Sequence, residues 1–534
     1  MTTVAASRRR YLPDFDMPTP AWVDRQPAWL IGGGVVVLAM LLSTFLRTRY
    51  INGQFWMDEA LSVGISSHSL TSIPGVLRHD GSPPLYYLLL HVWMSIAGNS
   101  ETDTHWLSLV FGLATVPVGT WIAWSLFGRR AGLIAAVLFA MNPFLTAYSQ
   151  ETRMYTLMAL LGLLATGAFI HGFIYRRRRW LILFAICQAL MLYTHAWGIF
   201  FGVGAALALI PVWSVSDDRR GLIKDAVLSF GAAAVLFLPW LPTLLYQASH
   251  TGSPWDTAPN FGAPVQISRN LMGGDRATTA LVLAAAIGLA SLWAKSRRTS
   301  REAMAMWVLI IIPIGTLAFG WVLSRFSPAW QYRYFAPILG ALLLLAAWGM
   351  ARAKGVGLIA LALVVLFWAN PKSYTPTHKS DMKDVGGEMA PLLHPGDVVI
   401  SGQPEQVPLM WYYLPAGLRF TDTTGLISHD PQSMNWVHAL KRLENASPTA
   451  KLMPLVASLK PGQQILFVRP MTEGAQSWEA PWTQLVRRRS AQWGAILASL
   501  AANGTLKAVR WAPHYYRGAC CVADSAILYQ KVSS

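Results

Sequence analysis

Cysteine is scarce: the chain has three in 534 residues, and none sits in a C-x-x-C spacing. That excludes a thiolate metal site and a disulfide-built scaffold. Cys187 lies inside an apolar run, where packing is its simplest use. Cys520 and Cys521 are adjacent, which leaves a strained vicinal disulfide and two free thiols both open. Charge is scarce too. Charged residues make up 13% of the chain against 54% hydrophobic, more apolar surface than a soluble domain needs. Acidic residues are the rarer kind, 26 against 43 basic. Internal repeats and low-complexity tracts are missing, which argues against an inverted-repeat transporter.

What is present is a series of apolar runs of about 20 residues, each able to cross a hydrocarbon core of roughly 30 Å as a helix. They are continuous rather than alternating, so a β-barrel is excluded. The predicted spans are 28–46, 105–127, 131–148, 154–175, 180–194, 196–213, 222–246, 277–294, 303–323, 333–350 and 354–369. The short run 83–98 opens with Pro83-Pro84. If it does not span, Arg8–Arg10, Arg129–Arg130, Arg176–Arg179, Arg219–Arg220, the basic run 295–301 and Arg352–Lys354 all fall on one side, as the positive-inside rule demands. If it spans, that agreement is lost. It is therefore read as an interfacial helix. The net charge of +17 then signals topology rather than nucleic-acid binding.

The expected architecture is a polytopic α-helical membrane protein with 11 spans and a C-terminal extracytoplasmic α/β domain. Residues 1–27 form a cytoplasmic tail, since the first run is too long and wrongly flanked for a cleaved signal. Residues 28–369 form the membrane domain, with outer loop 47–104 carrying interfacial helices, and 370–534 the soluble domain. In that domain 396–400, 464–468 and 525–529 read as buried strands, and 434–446 and 481–500 as helices. The expected location is a bacterial-type plasma membrane.

This topology gathers a particular set of residues on the outer face. Asp58 and Glu59 follow the first span; His79 and Asp80 lie further along the same loop. Tyr148-Ser149-Gln150-Glu151-Thr152-Arg153-Met154-Tyr155 joins two spans, Tyr193-Thr194-His195 ends another, and Arg333-Tyr334-Phe335 begins a later one. Carboxylates at a membrane surface lose hydration and are rarely placed there without a use.

In this order, together with His79-Asp80-Gly81-Ser82-Pro83-Pro84-Leu85-Tyr86-Tyr87, these residues resemble the GT-C glycosyltransferases. More narrowly, they resemble the protein mannosyltransferase and aminoarabinose transferase relatives of glycosyltransferase family 39. The resemblance covers roughly residues 28–350. Asp80, Gly81 and Ser82 separate His79 from the prolines, a departure from the family's pattern. The resemblance implies a sugar donor carried on a polyprenyl phosphate and transfer to an acceptor hydroxyl at the outer face, usually with inversion.

Such a reaction needs a base, charge for the departing phosphate and a dry cleft. Asp58 is the expected base, since desolvation strengthens a carboxylate as a base. Glu59 is expected to orient Asp58, to ligate a cation or to face elsewhere, with acidic capping of a helix start as the plainer use. Arg153, Arg333 and His195 are the expected donor-phosphate ligands, since a guanidinium fork matches phosphate oxygens; snorkelling explains an arginine at a span end equally. His79, Asp80, Tyr86, Tyr148 and Tyr155 are the candidate substrate-binding residues, with interfacial aromatic belts as the competing account of the tyrosines. A divalent cation is a candidate cofactor with no fixed ligand spacing. Expected partners are the lipid-linked donor, membrane lipid and an acceptor glycan, lipid or protein. The rival functions are a lipid-linked substrate transporter or flippase and a non-catalytic envelope assembly subunit.

Overall fold

The computed structural model describes residues 28–293, 299–369, 379–427, 430–470, 479–513 and 524–532. Cys520, Cys521 and the tail 1–27 lie outside them. Among the described residues, six helices are long and apolar enough to cross a membrane: Glu101–Phe127, Tyr155–Ile174, Arg219–His250, Asp275–Trp293, Arg301–Phe326 and Tyr332–Arg352. Their burial orders the bundle. The apolar stretch of Tyr155–Ile174 is 89% buried and that of Arg219–His250 only 22%, so the first forms the centre and the second the rim.

The other five predicted spans also coincide with helices, four of them unbroken (Ala28–Thr48, Arg179–Thr194, Gly198–Ser214 and Lys354–Ala369) and one interrupted. The segment 131–148 divides into Arg129–Met141 and Pro143–Tyr148. Asn142 makes the break: its Oδ1 accepts from the Leu145 amide at 3.0 Å, capping the second helix, and Pro143 stands where a missing N–H costs nothing. The run 83–98 becomes the helix Leu85–Ala97. Its 13 residues reach about 20 Å, short of a hydrocarbon core.

The described residues between 379 and 532 build a six-stranded sheet in the order β3-β2-β1-β4-β6-β5. The strands are β1 Val398–Ser401, β2 Arg419–Asp422, β3 Gly425–Leu426, β4 Gln464–Pro470, β5 Leu506–Ala512 and β6 Asp524–Lys531. β1 runs parallel to β2 and β4, and the remaining pairs are antiparallel. The three predicted strands are present as β1, β4 and β6. The helix expected at 434–446 is only Ala439–Asn445, because His438 takes a left-handed backbone (φ 50°) and stops it growing backwards.

Alternation along these strands fixes what each face covers. Val398, Ile400, Ile465 and Phe467 pack under the helix Pro481–Ala502 through Trp493 and Leu497. Val399, Leu466 and Val468 pack on the other face, in one core with Phe55, Ala60 and Val63 from the first loop. The helix Met57–Ser66 is therefore held between the membrane bundle and the sheet. Gly64 sits at that contact: a Cβ there would run into the Gln432 carbonyl.

Candidate active site

The loop after the first helix turns into the helix Met57–Ser66, with Trp56 as its N-cap and the Glu59 carboxylate accepting from the Trp56 amide at 3.3 Å. Asp58 and Glu59 occupy its first turn, where carboxylates suit the helix dipole. Neighbours on a helix point about 100° apart, so the pair separates into two environments.

Glu59 turns inward and is fully buried. Its Oε1 accepts from His105 Nε2 at 2.7 Å, from the Thr152 amide at 2.8 Å and from Lys379 Nζ at 2.7 Å. Lys379 lies 2.6 Å from Oε2 and also donates to the Gln150 carbonyl at 3.0 Å. Burial pushes the Glu59 carboxyl up, but Lys379 and His105 outweigh that and hold it well below the usual range. This carboxylate is engaged in joining four chain segments.

Asp58 turns the other way and is partly open, with 21% of its side chain exposed. Two guanidiniums approach its Oδ2, Arg333 at 3.5 Å and Arg153 at 3.7 Å. Arg153 Nη1 also donates to the Asp58 carbonyl at 3.2 Å and to Ser62 Oγ at 3.1 Å. The Tyr155 hydroxyl accepts from Arg333 Nε at 3.0 Å and from Arg153 Nη2 at 3.5 Å, bridging the two arginines. Arg333 also lies over the Trp56 ring at 5.5 Å. The close approach of two helices makes this convergence: at Gly162 a Cβ would collide with the Pro337 carbonyl, so glycine lets the Arg153 and Arg333 segments meet.

Tyr148 packs at the same place, its ring 4.9 Å from Tyr155 and 6.2 Å from Tyr332. His195 caps the helix Arg179–Thr194, with its ring 4.6 Å from Tyr334. Burial, followed by Arg153 and Arg333, pushes its pKa down to about 3, so it stands as a neutral imidazole. The structure thus gathers Asp58, Arg153, Arg333, Tyr148, Tyr155 and His195.

His79 and Asp80 part company. The helix Ile73–Asp80 buries Asp80 and leaves His79 exposed, its Nδ1 bonded to the Gly75 carbonyl at 3.1 Å. Asp80 joins the site and His79 does not. Gly81 follows with φ 104°, a left-handed stop that an ordinary side chain resists. Burial pushes the Asp80 carboxyl up to about 6, opposed by Ser82 and Arg153 and reinforced by Asp58. Tyr86 is fully buried, with its hydroxyl 3.0 Å from Ser108, a packing contact between the helix Leu85–Ala97 and the bundle.

Residues beyond those expected also take part. Glu151 is buried beside this group, and desolvation lifts its carboxyl to about 7 against the pull of Lys379. Asp256 is buried and accepts from Gln331 at 2.8 Å, two positions before Arg333. Glu151 stands in the same run, 148–155, as Arg153, so the sequence itself marks it. Lys379 and Asp256 come from distant segments with no local pattern to mark them. Among the described residues, no three His, Cys, Asp or Glu side chains group as a metal site.

Residues 81–246 match the family model described as dolichyl-phosphate-mannose-protein mannosyltransferase. That match includes Arg153, Tyr148, Tyr155 and His195 and stops short of Arg333. Among solved structures, the fold is similar to that of ArnT from Cupriavidus metallidurans bound to undecaprenyl phosphate (TM-score 0.58, 13% identity, 94% of this chain and 98% of that one). The apo form of ArnT aligns likewise, with a TM-score of 0.56 and 14% identity over 93% of this chain and 97% of that one. The oligosaccharyltransferase of Archaeoglobus fulgidus aligns over 85% of this chain and 70% of its own, with a TM-score of 0.53 and 14% identity. No curated protein sequence matches the chain. The resemblance to GT-C glycosyltransferases is borne out, and the chain is a multi-pass membrane protein of that fold.

Proposed function

We propose that this protein transfers a sugar from a polyprenyl-phosphate donor to an acceptor hydroxyl at the outer face of a plasma membrane, with inversion. The observation that carries the proposal is the shared approach of Arg153 and Arg333 to Asp58 Oδ2, with Tyr155 bridging them. A phosphate anion entering between the guanidiniums takes paired, charge-assisted hydrogen bonds. Arg153 Nε is buried with no partner, a donor such an oxygen would satisfy. In the transfer, Asp58 accepts the proton of the acceptor hydroxyl. The acceptor oxygen bonds to the sugar's anomeric carbon, the carbon–oxygen bond to the phosphate breaks, and polyprenyl phosphate leaves with that electron pair. The neutral His195 hydrogen-bonds rather than carrying charge. Glu59 positions the helix that presents Asp58.

The likeness to ArnT bound to undecaprenyl phosphate supports a polyprenyl-phosphate ligand here. The loop charges support 11 spans with the N-terminus cytoplasmic and the sheet domain extracytoplasmic. The reading is tested with detergent-purified protein and a panel of polyprenyl-phosphate mannose, arabinose, glucose and aminoarabinose. Wild type should release polyprenyl phosphate from at least one, and Arg153→Gln and Arg333→Gln should each raise the donor KM at least tenfold. No release from any donor would contradict it.

A second reading has its own observation. Asp80 and Glu151, at about 6 and about 7, lie nearer neutrality, where a general base works best. On that reading Asp58 orders the arginines and a neighbour takes the proton. Asp80→Asn then removes an acidic limb near pH 6 from the rate profile; on the first reading the substitution leaves the shape of the profile unchanged.

A further inference from the structure

We infer that the cavity between the loop after His250 and the helix Ala439–Asn445 binds the acceptor, and that this acceptor is a neutral saccharide chain. The inference rests on the transferase reading and adds its second substrate. The cavity holds about 620 Å³, within the usual size range of ligand sites. One wall, with Ser249, His250 and Ser253, comes from the membrane half; the other, with His438, Lys441 and Asn445, from the sheet half. Neither half forms it alone. Backbone bonds pin the walls together: the His438 amide to the His250 carbonyl at 2.9 Å, and the Trp482 amide to the Pro254 carbonyl at 3.2 Å. The Trp255 and Trp436 rings meet at 4.3 Å.

Asp256 ties this cavity to the reaction site. It lines the cavity while its Oδ1 accepts from Gln331, two residues before Arg333. Its carboxylate also faces the backbone amides of Thr257 and Trp330, which fix it between the cavity wall and the Arg333 segment.

The lining selects the ligand class. Hydroxyls, imidazoles, an amide and carboxylates supply mixed donors and acceptors. The charges are Lys441 against Asp256 and Glu444, so a phosphorylated headgroup meets net negative charge. The apolar lining is Leu440, three prolines (Pro254, Pro328 and Pro481) and small residues, interspersed with the polar ones rather than forming the continuous apolar wall an acyl chain needs. Among the described residues, loops and helices form it, with no strand edge for an extended peptide to pair with.

The test uses the full-length protein in membranes of the cells that make it, with a radiolabelled polyprenyl-phosphate sugar that wild type turns over. Asn445→Trp and, from the other wall, Ser253→Trp fill the cavity. The expected result is at least a tenfold fall in transfer to envelope material for both. Label in wild type should remain after lipid extraction and protease treatment. Slow donor release to water in detergent should be unchanged, which also certifies the fold of each variant. Undiminished transfer, or label that is lost to solvent or protease, overturns the inference while leaving the transferase reading intact. Absence of donor release from wild type falls on that reading instead and takes this inference with it.

Discussion

Asp58 and Glu59 are neighbours with opposite tasks, and burial decides which is which. Glu59 is fully buried against Lys379 and His105. Removing one member of such a group leaves the others' charge uncompensated, at a cost of about 3–5 kcal/mol. Glu59→Gln should therefore lower the thermal midpoint in detergent well beyond Asp58→Asn, the readout being the unfolding temperature. Their pH dependences also differ. The Glu59 carboxyl is held below its ordinary value, so its stabilisation is whole above that value and is lost only as pH falls through the folded one. Asp80 has the opposite sign. Its carboxyl rises from 3.8 to about 6, so the folded state binds the proton more tightly and ionised Asp80 costs stability at neutral pH. Acidification from pH 7 to 4 should stabilise wild type by about 2–3 kcal/mol relative to Asp80→Asn. Equal behaviour of the two in a denaturation series across that range would contradict this.

The element that matters most is the helix Met57–Ser66, gripped on two sides. Gly64 faces the Gln432 carbonyl, and backbone cannot give way as a flexible side chain does. Gly64→Ala should cost about 1–3 kcal/mol by overpacking, and faster proteolytic cutting between the membrane and sheet halves is the measurement that shows it. The sequence revealed this helix's acidic turn and the arginines that meet it, because span ends and loop charges are local patterns. It hid other features for physical reasons. His79 and Asp80 are adjacent in sequence and looked like one site, but a helix points them apart and only Asp80 is buried. The break at Asn142-Pro143 lay inside an apolar run, where hydropathy registers polarity and not helix continuity. Lys379 reaches Glu59 across 320 positions, a pairing no local pattern contains.

At the scale of the molecule, the sheet is packed into the membrane half rather than appended to it. Phe55, Ala60 and Val63 of the first loop share a core with β1 and β4, and Lys379 enters the bundle beside Glu59. Lys379→Met should therefore cut donor turnover by an order of magnitude or more. Donor KM should change little, because Lys379 acts through the helix that carries Asp58. Unchanged turnover would show that the Lys379–Glu59 contact is structural only. The most direct measurement of the whole account is the initial rate of sugar transfer by wild type and Asp58→Asn, with donor binding measured in parallel. The account predicts that the variant still binds donor and is at least a hundredfold slower. Equal rates would contradict it.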